Sequence, residues 1–248
     1  MAIPLLLPLV VWERRREGRP THRQVGYAVA AGAFFAGDAL WWTQAIGEVG
    51  AGLSTVLVNA QVVLVPLLAL AIDREQISRR FLIVLPMMIG GIVLTGGVLE
   101  AAPRGSDPVA GTAHAMLAAL CYSGFLYLLR RGGGHGRVIQ NYVVVVTTAA
   151  AVALCVGPFW GDMTLTPALN AIAWLVLIAA TGQVTGWLLV AIASPLLRPE
   201  VGAALLLLTP VGALVLGAFV LEERPSALQL LGCGLVLASA YAAAPRRR

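Results

Sequence analysis

Charged residues are scarce in this chain, and lysine is absent. Only 12% of the 248 residues are charged and 59% are apolar, whereas a soluble domain carries roughly a quarter charged residues. The mean hydropathy is +0.85. This composition excludes an ordinary soluble domain and indicates a protein that lies within a membrane.

The sequence also lacks the motifs of enzymes and metal sites. It contains no HExxH, no GxSxG, no phosphate-binding Walker loop and no pair of carboxylates within one apolar stretch. Its cysteines, Cys121, Cys155 and Cys233, lie far apart without CxxC spacing, so we interpret them as packing residues. We therefore predict a protein that is not an enzyme and that uses no cofactor and no metal.

The net charge of +5 does not require a nucleic acid partner. A nucleic-acid-binding protein gathers basic and aromatic residues on one folded face. Here the arginines lie in the connections between apolar stretches, where they face anionic membrane lipid. Membrane lipid is thus a predicted partner, and nucleic acid is not.

The seventeen arginines divide unevenly between alternate connections. Fifteen of them lie at 13–23, 73–80, 130–137, 194–200 and 245–248. The intervening connections at 47–51, 100–108, 160–168 and 222–227 hold only Arg104 and Arg224. Because arginine-rich short loops stay in the cytoplasm, we predict a multi-pass protein of the inner or plasma membrane with a cytoplasmic C-terminus.

Eight apolar segments are long enough to cross a membrane as helices, which requires about 20 residues. They are 24–46, 52–72, 80–99, 109–129, 138–159, 170–193, 200–221 and 227–244. The apolar start at 2–12 has only eleven residues, about 16 Å of helix. We expect it to be the cytoplasmic end of a span whose beginning is missing.

An internal repeat relates the two parts of the chain. A shift of 150 residues superimposes the spans without a gap and places Gly32 on Gly182. The connection 47–51 is predicted outside and its partner 197–201 inside, so the halves are inverted, as in many secondary transporters. The predicted fold class is an all-α polytopic membrane protein with two inverted repeats of a nominally five-helix unit, lacking the N-terminal one and a half helices. The predicted halves are 1–99 and 109–244, joined by an extracytoplasmic linker at 100–108.

Four stretches resemble a known family. They are AGDALWWTQAI (36–46), VGAGLSTVLVNAQVV (49–63), GTAHAMLAALCYSGFLYLLRR (111–131) and AALLLLTPVGALVLGAFVLEERPSALQLLGCGLVLAS (203–239). With these motifs the chain resembles the EamA-like branch of the drug/metabolite transporter superfamily over nearly its whole length. The resemblance implies two inverted five-helix halves around a central cavity and the transport of a small solute, which many members export. The chain departs from the pattern in its eight and a half spans and in having Ala60 where the second half has Pro210.

Asp38 is the acidic residue that lies well inside a predicted span. An ionised carboxylate there costs about 2.5 to 3.5 kcal/mol on insertion scales, so it should face protein or a water-filled cavity. Counting from the hairpin tip near Val49 places Asp38 and Asn59 at the same depth, and Thr55 shares a helix face with Asn59. With Trp41 and Trp42 one turn beyond Asp38, these side chains could bind a polar or cationic solute. The alternative is that Asp38 and Asn59 only fasten helices together.

Further candidate residues lie in other spans. Gln61 points about 200 degrees away from Asn59 around the helix, so we rank it below Asn59. Thr209 precedes Pro210, whose missing N–H exposes a backbone carbonyl. The remaining candidates are His114 with Tyr122, eight residues apart, and Thr181 with Thr185, near Trp187. For each of these, ordinary packing is the alternative.

The leading functional hypothesis is a secondary transporter, with export as the expected direction, that moves a small polar metabolite or amine by alternating access. One alternative is a truncated or non-transporting membrane scaffold or subunit. Another is an intramembrane enzyme that acts on a lipid-linked substrate. The predicted partners are a small-molecule solute and membrane lipid, and a homodimer stays open.

The distribution of arginine generates a topology prediction. A reporter that is active only in the cytoplasm should work when it is fused after Arg248 or within 130–137, because these connections are arginine-rich. The same reporter should fail within 102–107 or 160–167. A cytoplasmic signal from the 160–167 fusion would contradict the inverted arrangement.

Overall fold

The computed structural model describes residues 2–77, 79–95, 107–132, 137–160, 168–193, 196–197 and 208–243. Within these residues the regular structure is helical throughout, which confirms the predicted all-α class. The helices are α1 (Ala2–Glu17), α2 (His22–Val49), α3 (Ala51–Val58), α4 (Gln61–Asp73), α5 (Arg79–Thr95), α6 (Pro108–Gly132), α7 (Val138–Trp160), α8 (Leu169–Ile178), a π-helix (Ala179–Gly186), α9 (Trp187–Ala193), α10 (Leu208–Val220) and α11 (Ala227–Ala243).

Two predicted spans are less regular than the sequence suggests. The span 52–72 divides into α3 and α4 at a turn of two residues, and the span 170–193 contains the π-helix. The apolar start forms a helix that continues to Glu17. The C-terminus at 245–248, which is predicted to be cytoplasmic, lies outside the described residues, as do most of the linker 100–108 and most of the 194–200 connection.

In the described part of the chain, four helical segments are long and apolar enough to cross a membrane: Ala51–Asp73, Pro108–Gly132, Val138–Phe159 and Ala171–Ala193. A shorter apolar helix covers Ala227–Ser239. Large apolar side chains on these helices are exposed, among them Phe159 at 90% and Trp174 at 67%. Such exposure suits a lipid environment, where apolar side chains face hydrocarbon while the helix satisfies its own backbone.

The chain forms two compact units, and each draws on both predicted halves. The first unit comprises the described parts of 1–36 and 125–197, and the second comprises those of 37–124 and 198–248. These units differ from the predicted halves 1–99 and 109–244, which describe repeats in the sequence and stay a proposal.

In the second unit, α5 and α11 approach each other closely at glycines. A methyl group on Gly232 would lie 2.5 Å from the Thr95 backbone nitrogen and 2.7 Å from the Gly91 carbonyl oxygen. The Thr95 hydroxyl donates to that same carbonyl oxygen at 2.8 Å. Small residues at this crossing let the backbones meet, as is common between membrane helices. The adjoining hydrophobic core contains Val62, Val63, Phe81, Met88 and Val236.

Glutamates satisfy the N-termini of two helices. In the second unit, the carboxylate of Glu223 accepts the N–H groups of Ala51 at 2.6 Å and Gly52 at 2.9 Å, at the start of α3. In the first unit, the buried Glu13 accepts the N–H groups of Ile139 at 3.0 Å and Gln140 at 2.7 Å, at the start of α7. Both carboxylates supply negative charge to the positive end of a helix dipole and pair N–H groups that have no intrahelical acceptor.

Three pairs of packed helices come from spans that the 150-residue shift superimposes. Helix α1 packs against α7, α3 against α10, and α5 against α11. Gly50, which precedes α3, has a φ of +87°, a conformation that glycine adopts without a steric penalty. This turn brings the start of α3 to the Glu223 carboxylate.

The close crossing of α5 and α11 predicts opposite effects for two neighbouring glycines. Gly232→Ala should destabilise the folded protein by about 1–3 kcal/mol, because the new methyl group overlaps the α5 backbone. Gly234→Ala is the matched control: a methyl group there meets nothing within 4 Å, and alanine gains up to about 1 kcal/mol in helix propensity. Thermal unfolding of both purified variants in detergent measures the difference. Equal midpoints would contradict the close crossing.

Candidate functional site

One face of α2 packs against α6 within the second unit and carries several of the predicted site residues. A methyl group on Gly37 would lie 3.0 Å from the Cys121 sulfur, and one on Gly111 would lie 3.1 Å from the Glu48 Cβ. The two glycines thus allow α2 and α6 to approach at two levels. Residues 38, 41 and 48 of α2 follow helical spacing, which places them on one face.

Glu48, His114 and Trp41 form a polar cluster on this face. The Nδ1 atom of His114 lies 2.7 and 3.0 Å from the two carboxylate oxygens of Glu48. The His114 ring stacks on Trp41, with ring centres 5.3 Å apart and planes 19° apart. The spacing in the sequence predicts that His114 shares a helix face with Tyr122, and the predicted connection 47–51 contains Glu48. The structure instead includes Glu48 in the last turn of α2, with His114 as its partner.

A signal for this pair was present in the sequence. His114 is the sixth residue after Pro108, and Glu48 precedes the hairpin tip near Val49. Both residues therefore lie near helix ends that face the same predicted side of the membrane. Counting residues from the ends of the spans, which places Asp38 and Asn59 at one depth, places Glu48 and His114 near the same membrane surface as well.

Asp38 has a carboxylate oxygen without a hydrogen-bond partner at this site. Its Oδ1 atom is buried and accepts no hydrogen bond from any described residue. Its carboxyl group is close enough to Cys121 and Tyr122 to interact with them electrostatically. Tyr122 and Trp41 in turn pack against a small core of the second unit that contains Ala45, Leu57, Val58, Ala115 and Ala118.

Asn59 supports the break between α3 and α4. Its backbone N–H bonds to the Val56 carbonyl at 3.1 Å, so the Thr55 carbonyl loses its regular helical partner. The Asn59 side-chain amide donates to that Thr55 carbonyl at 2.7 Å, and the Thr55 hydroxyl donates to Ala51 at 2.7 Å. No described hydrogen bond joins Asp38 to Asn59. The Asn59 amide instead satisfies its own helix, so a site shared by Asp38 and Asn59 stays a prediction.

Gln61 is a further candidate for this site. Its side chain is fully buried, and neither its Nε2 nor its Oε1 atom has a hydrogen-bond partner among the described residues. The angle of about 200 degrees between Asn59 and Gln61 holds only for one continuous helix from 52 to 72. Because the helix breaks at 59–60, the ideal angle between Asn59 and Gln61 does not apply.

The predicted threonines of the first unit lie on the π-helix. The Thr181 hydroxyl donates to the Leu177 carbonyl at 2.8 Å, and the Thr185 hydroxyl donates to the Ala180 carbonyl at 3.0 Å. Both side chains are exposed. The neighbouring Tyr142 hydroxyl donates to the carbonyl of Gln183 at 2.7 Å. A π-helix is frequent at functional sites, so this segment keeps its place among the candidates.

The remaining predicted residues have less specific surroundings. Trp187 packs edge-on against Phe35 and Phe125, with ring centres 5.5 and 5.1 Å away, in an aromatic cluster of the first unit. In the second unit, Trp42 and Thr209 are exposed. None of these contacts assigns a role to the three residues, which stay predictions.

The unpaired amide of Gln61 generates a stability prediction. Gln61→Leu should stabilise the solute-free protein by about 1 kcal/mol or more, because a buried polar group without partners costs about 1–3 kcal/mol. Gln76→Leu, at an exposed glutamine in the connection after α4, is the control and should change stability little. Thermal unfolding in detergent without solute provides the measurement. A lower midpoint for Gln61→Leu would show that the amide has a stabilising partner.

Comparison with known proteins accords with this architecture. A model of the EamA-like transporter family matches residues 1–97 and 109–244. A crystal structure described only as "Crystal structure of protein" is 18% identical, with a TM-score of 0.53 over 98% of this chain and 94% of that chain. At that identity the similarity concerns the fold alone. No curated protein matches the chain by sequence. The family match covers nearly every residue and confirms the resemblance, so the chain belongs to the EamA-like transporter family.

Proposed function

We propose that the protein is a secondary transporter that exports a small polar solute with a cationic group, such as an amine or a zwitterion. The solute would bind in the membrane and become accessible to each side in turn. The site residues proposed to contact it are Asp38, Trp41, Tyr122 and Gln61, all of the second unit.

The buried, unpaired Oδ1 atom of Asp38 is the observation that supports this proposal. A carboxylate inside a membrane protein is costly unless a proton, a cation or a hydrogen-bond donor satisfies it. Glu48, the other carboxylate on the same helix face, already has His114 as its partner. Asp38 is therefore the group left available for a proton or for the cationic part of a solute.

The surroundings of Asp38 suit a cation with an organic body. Trp41 and Tyr122 pack at the same core and offer aromatic surface, which attracts cations through the ring electrons. The buried amide of Gln61 has two donors and one acceptor group free for a polar solute. One carboxylate that accepts either a proton or an ammonium group, but not both, would exchange solute for protons.

The setting of this function is also part of the proposal. We place the protein in the inner or plasma membrane with a cytoplasmic C-terminus, from the distribution of arginine. The halves 1–99 and 109–244 would move against each other around the site, and the pairing of two chains as a homodimer is a further proposal. Membership in a transporter family agrees with a protein that is not an enzyme.

Asp38→Asn tests the coupling role. The amide keeps the size and hydrogen bonding of the side chain but removes its titratable charge, so the variant should insert normally and lose solute-driven proton movement. Proteoliposomes with trapped pyranine report this movement when a panel of amines and zwitterions is added, normalised to the protein present. Loss of at least about tenfold is expected for a group that carries the coupled proton.

Two further variants complete this experiment. Asp107→Asn removes an exposed carboxylate that caps α6 through the Ala110 N–H, and asparagine can still cap, so its proton movement should match the unmodified protein. Asp38→Leu separates structure from coupling. If Asp38 only fastens helices, Asp38→Asn will transport normally and Asp38→Leu will yield less folded protein, which would refute the coupling role.

A further inference from the structure

Four helix ends of the first unit meet at an arginine-rich surface. The Arg137 Nε donates to the Glu17 carbonyl at 2.9 Å, which joins the start of α7 to the end of α1. The Asn141 side chain donates to the Gly132 carbonyl at 2.8 Å, which joins α7 to the end of α6. A methyl group on Gly132 would lie 3.7 Å from the Tyr27 Cβ, which brings in the start of α2.

Two arginines from different helices share one aromatic ring at this surface. The guanidinium carbon of Arg23, on α2, lies 5.6 Å from the centre of the Tyr27 ring, and that of Arg131, on α6, lies 6.0 Å from it. The two guanidinium carbons are therefore at most about 12 Å apart. Arg131 also lies 5.3 Å from the Tyr127 ring, and the Arg23 Nε donates to the Tyr27 hydroxyl at 3.2 Å. Cation–π contacts thus hold two positive charges at defined positions.

The charge at these helix ends is strongly positive. The segments 13–23 and 130–137 contain eight arginines and two glutamates. Glu13 is buried and both of its oxygens accept N–H groups of α7, while Glu17 is exposed. The N-terminus of α2 adds a partial positive charge through its dipole. Such a surface attracts anions.

Aromatic residues indicate that this surface lies at the level of lipid head groups. Tryptophan and tyrosine concentrate where a membrane meets water. On α1, Trp12 is half exposed and has the Arg16 guanidinium carbon 4.6 Å above its ring. The exposed Leu9 and Val11 on the same helix provide apolar surface for an acyl chain. An anion with an acyl chain fits this combination better than a free anion does.

We propose that Arg23 and Arg131, held against Tyr27, bind the phosphate of an anionic glycerophospholipid at this end of the first unit. Planar guanidinium groups donate paired hydrogen bonds to phosphate oxygens. One bound phosphate would link the start of α2 to the end of α6. The proposal does not depend on which solute the protein carries, because lipid binding is measured without one.

Native mass spectrometry of the purified protein in non-ionic detergent tests the site. Dioleoyl phosphatidylglycerol should bind more tightly than dioleoyl phosphatidylcholine, which has the same chains and no net charge. Arg23→Gln with Arg131→Gln should weaken phosphatidylglycerol binding by about 25-fold, at about fivefold for each arginine near an anionic surface. Unchanged affinity in this double variant would overturn the proposal.

A matched control separates the site from general electrostatic attraction. Arg79→Gln with Arg80→Gln removes the same charge from the start of α5, where neither arginine stacks on an aromatic ring of the described residues. This control should bind phosphatidylglycerol within about twofold of the unmodified protein, since charges at other helix ends act only at long range. If the control variant loses as much affinity for phosphatidylglycerol, the binding is general electrostatic attraction and the proposal is overturned.

Two more measurements cover the remaining outcomes. If the glutamine variant does not fold, Arg23→Lys with Arg131→Lys keeps both charges and should still lose several-fold in affinity, because lysine cannot donate the paired bonds of arginine. Wild-type affinity in this lysine variant would contradict the proposed geometry. Inorganic phosphate should displace phosphatidylglycerol only weakly, and strong displacement would identify a site for free phosphate instead of lipid.

Discussion

Backbone N–H groups at helix ends need acceptors, and the chain supplies them from residues that are distant in the sequence. A helix leaves its first four N–H groups unpaired, and the hydrocarbon of a membrane offers none of the water that would otherwise bind them. Glu223 satisfies the start of α3, and Glu13 satisfies the start of α7. Glu13 thereby fixes α1 to α7, and Glu223 fixes the connection after α10 to the start of α3. The packing of α1 against α7 and of α3 against α10 depends on these joints, because a displaced helix would lose both its cap and its neighbour.

The same demand explains the polar residues inside the helices. Where α3 gives way to α4, Asn59 satisfies the freed Thr55 carbonyl. On the π-helix, the Tyr142 hydroxyl reaches the Gln183 carbonyl, and the Thr185 hydroxyl reaches that of Ala180. These polar side chains repair irregular backbone. Asp38 and Gln61 form no such hydrogen bond to irregular backbone among the described residues, and each keeps unpaired buried atoms. The proposed function centres on these two residues for that reason.

Hydropathy and the distribution of arginine predicted the helices well, because lipid imposes a simple length and composition on each span. The site was harder to predict. A depth argument related Asp38 to Asn59, yet the break at 59–60 redirected the Asn59 amide to its own helix. Because of the same break, the ideal helical angle between Asn59 and Gln61 does not apply, and that angle was the reason for ranking Gln61 below Asn59. Such a helix break depends on which backbone groups find hydrogen-bond partners in the folded protein. The apolar sequence around Asn59 does not predict it. Glu48 was missed because a charged residue beside glycines resembles a loop.

The two units balance their charges by different means. In the second unit, Glu48 has His114 as a partner and Glu223 accepts two backbone N–H groups, so both carboxylates have hydrogen-bond partners within the protein. In the first unit, arginine outnumbers glutamate four to one at the described helix ends and the flanking connections, and Glu13 already serves α7. Arginines that orient a chain during insertion remain in the folded protein, where mutual repulsion acts on them. Stacking on Tyr27 holds Arg23 and Arg131 in place without removing their charge, and the membrane surface offers opposite charge to both of them as lipid phosphate.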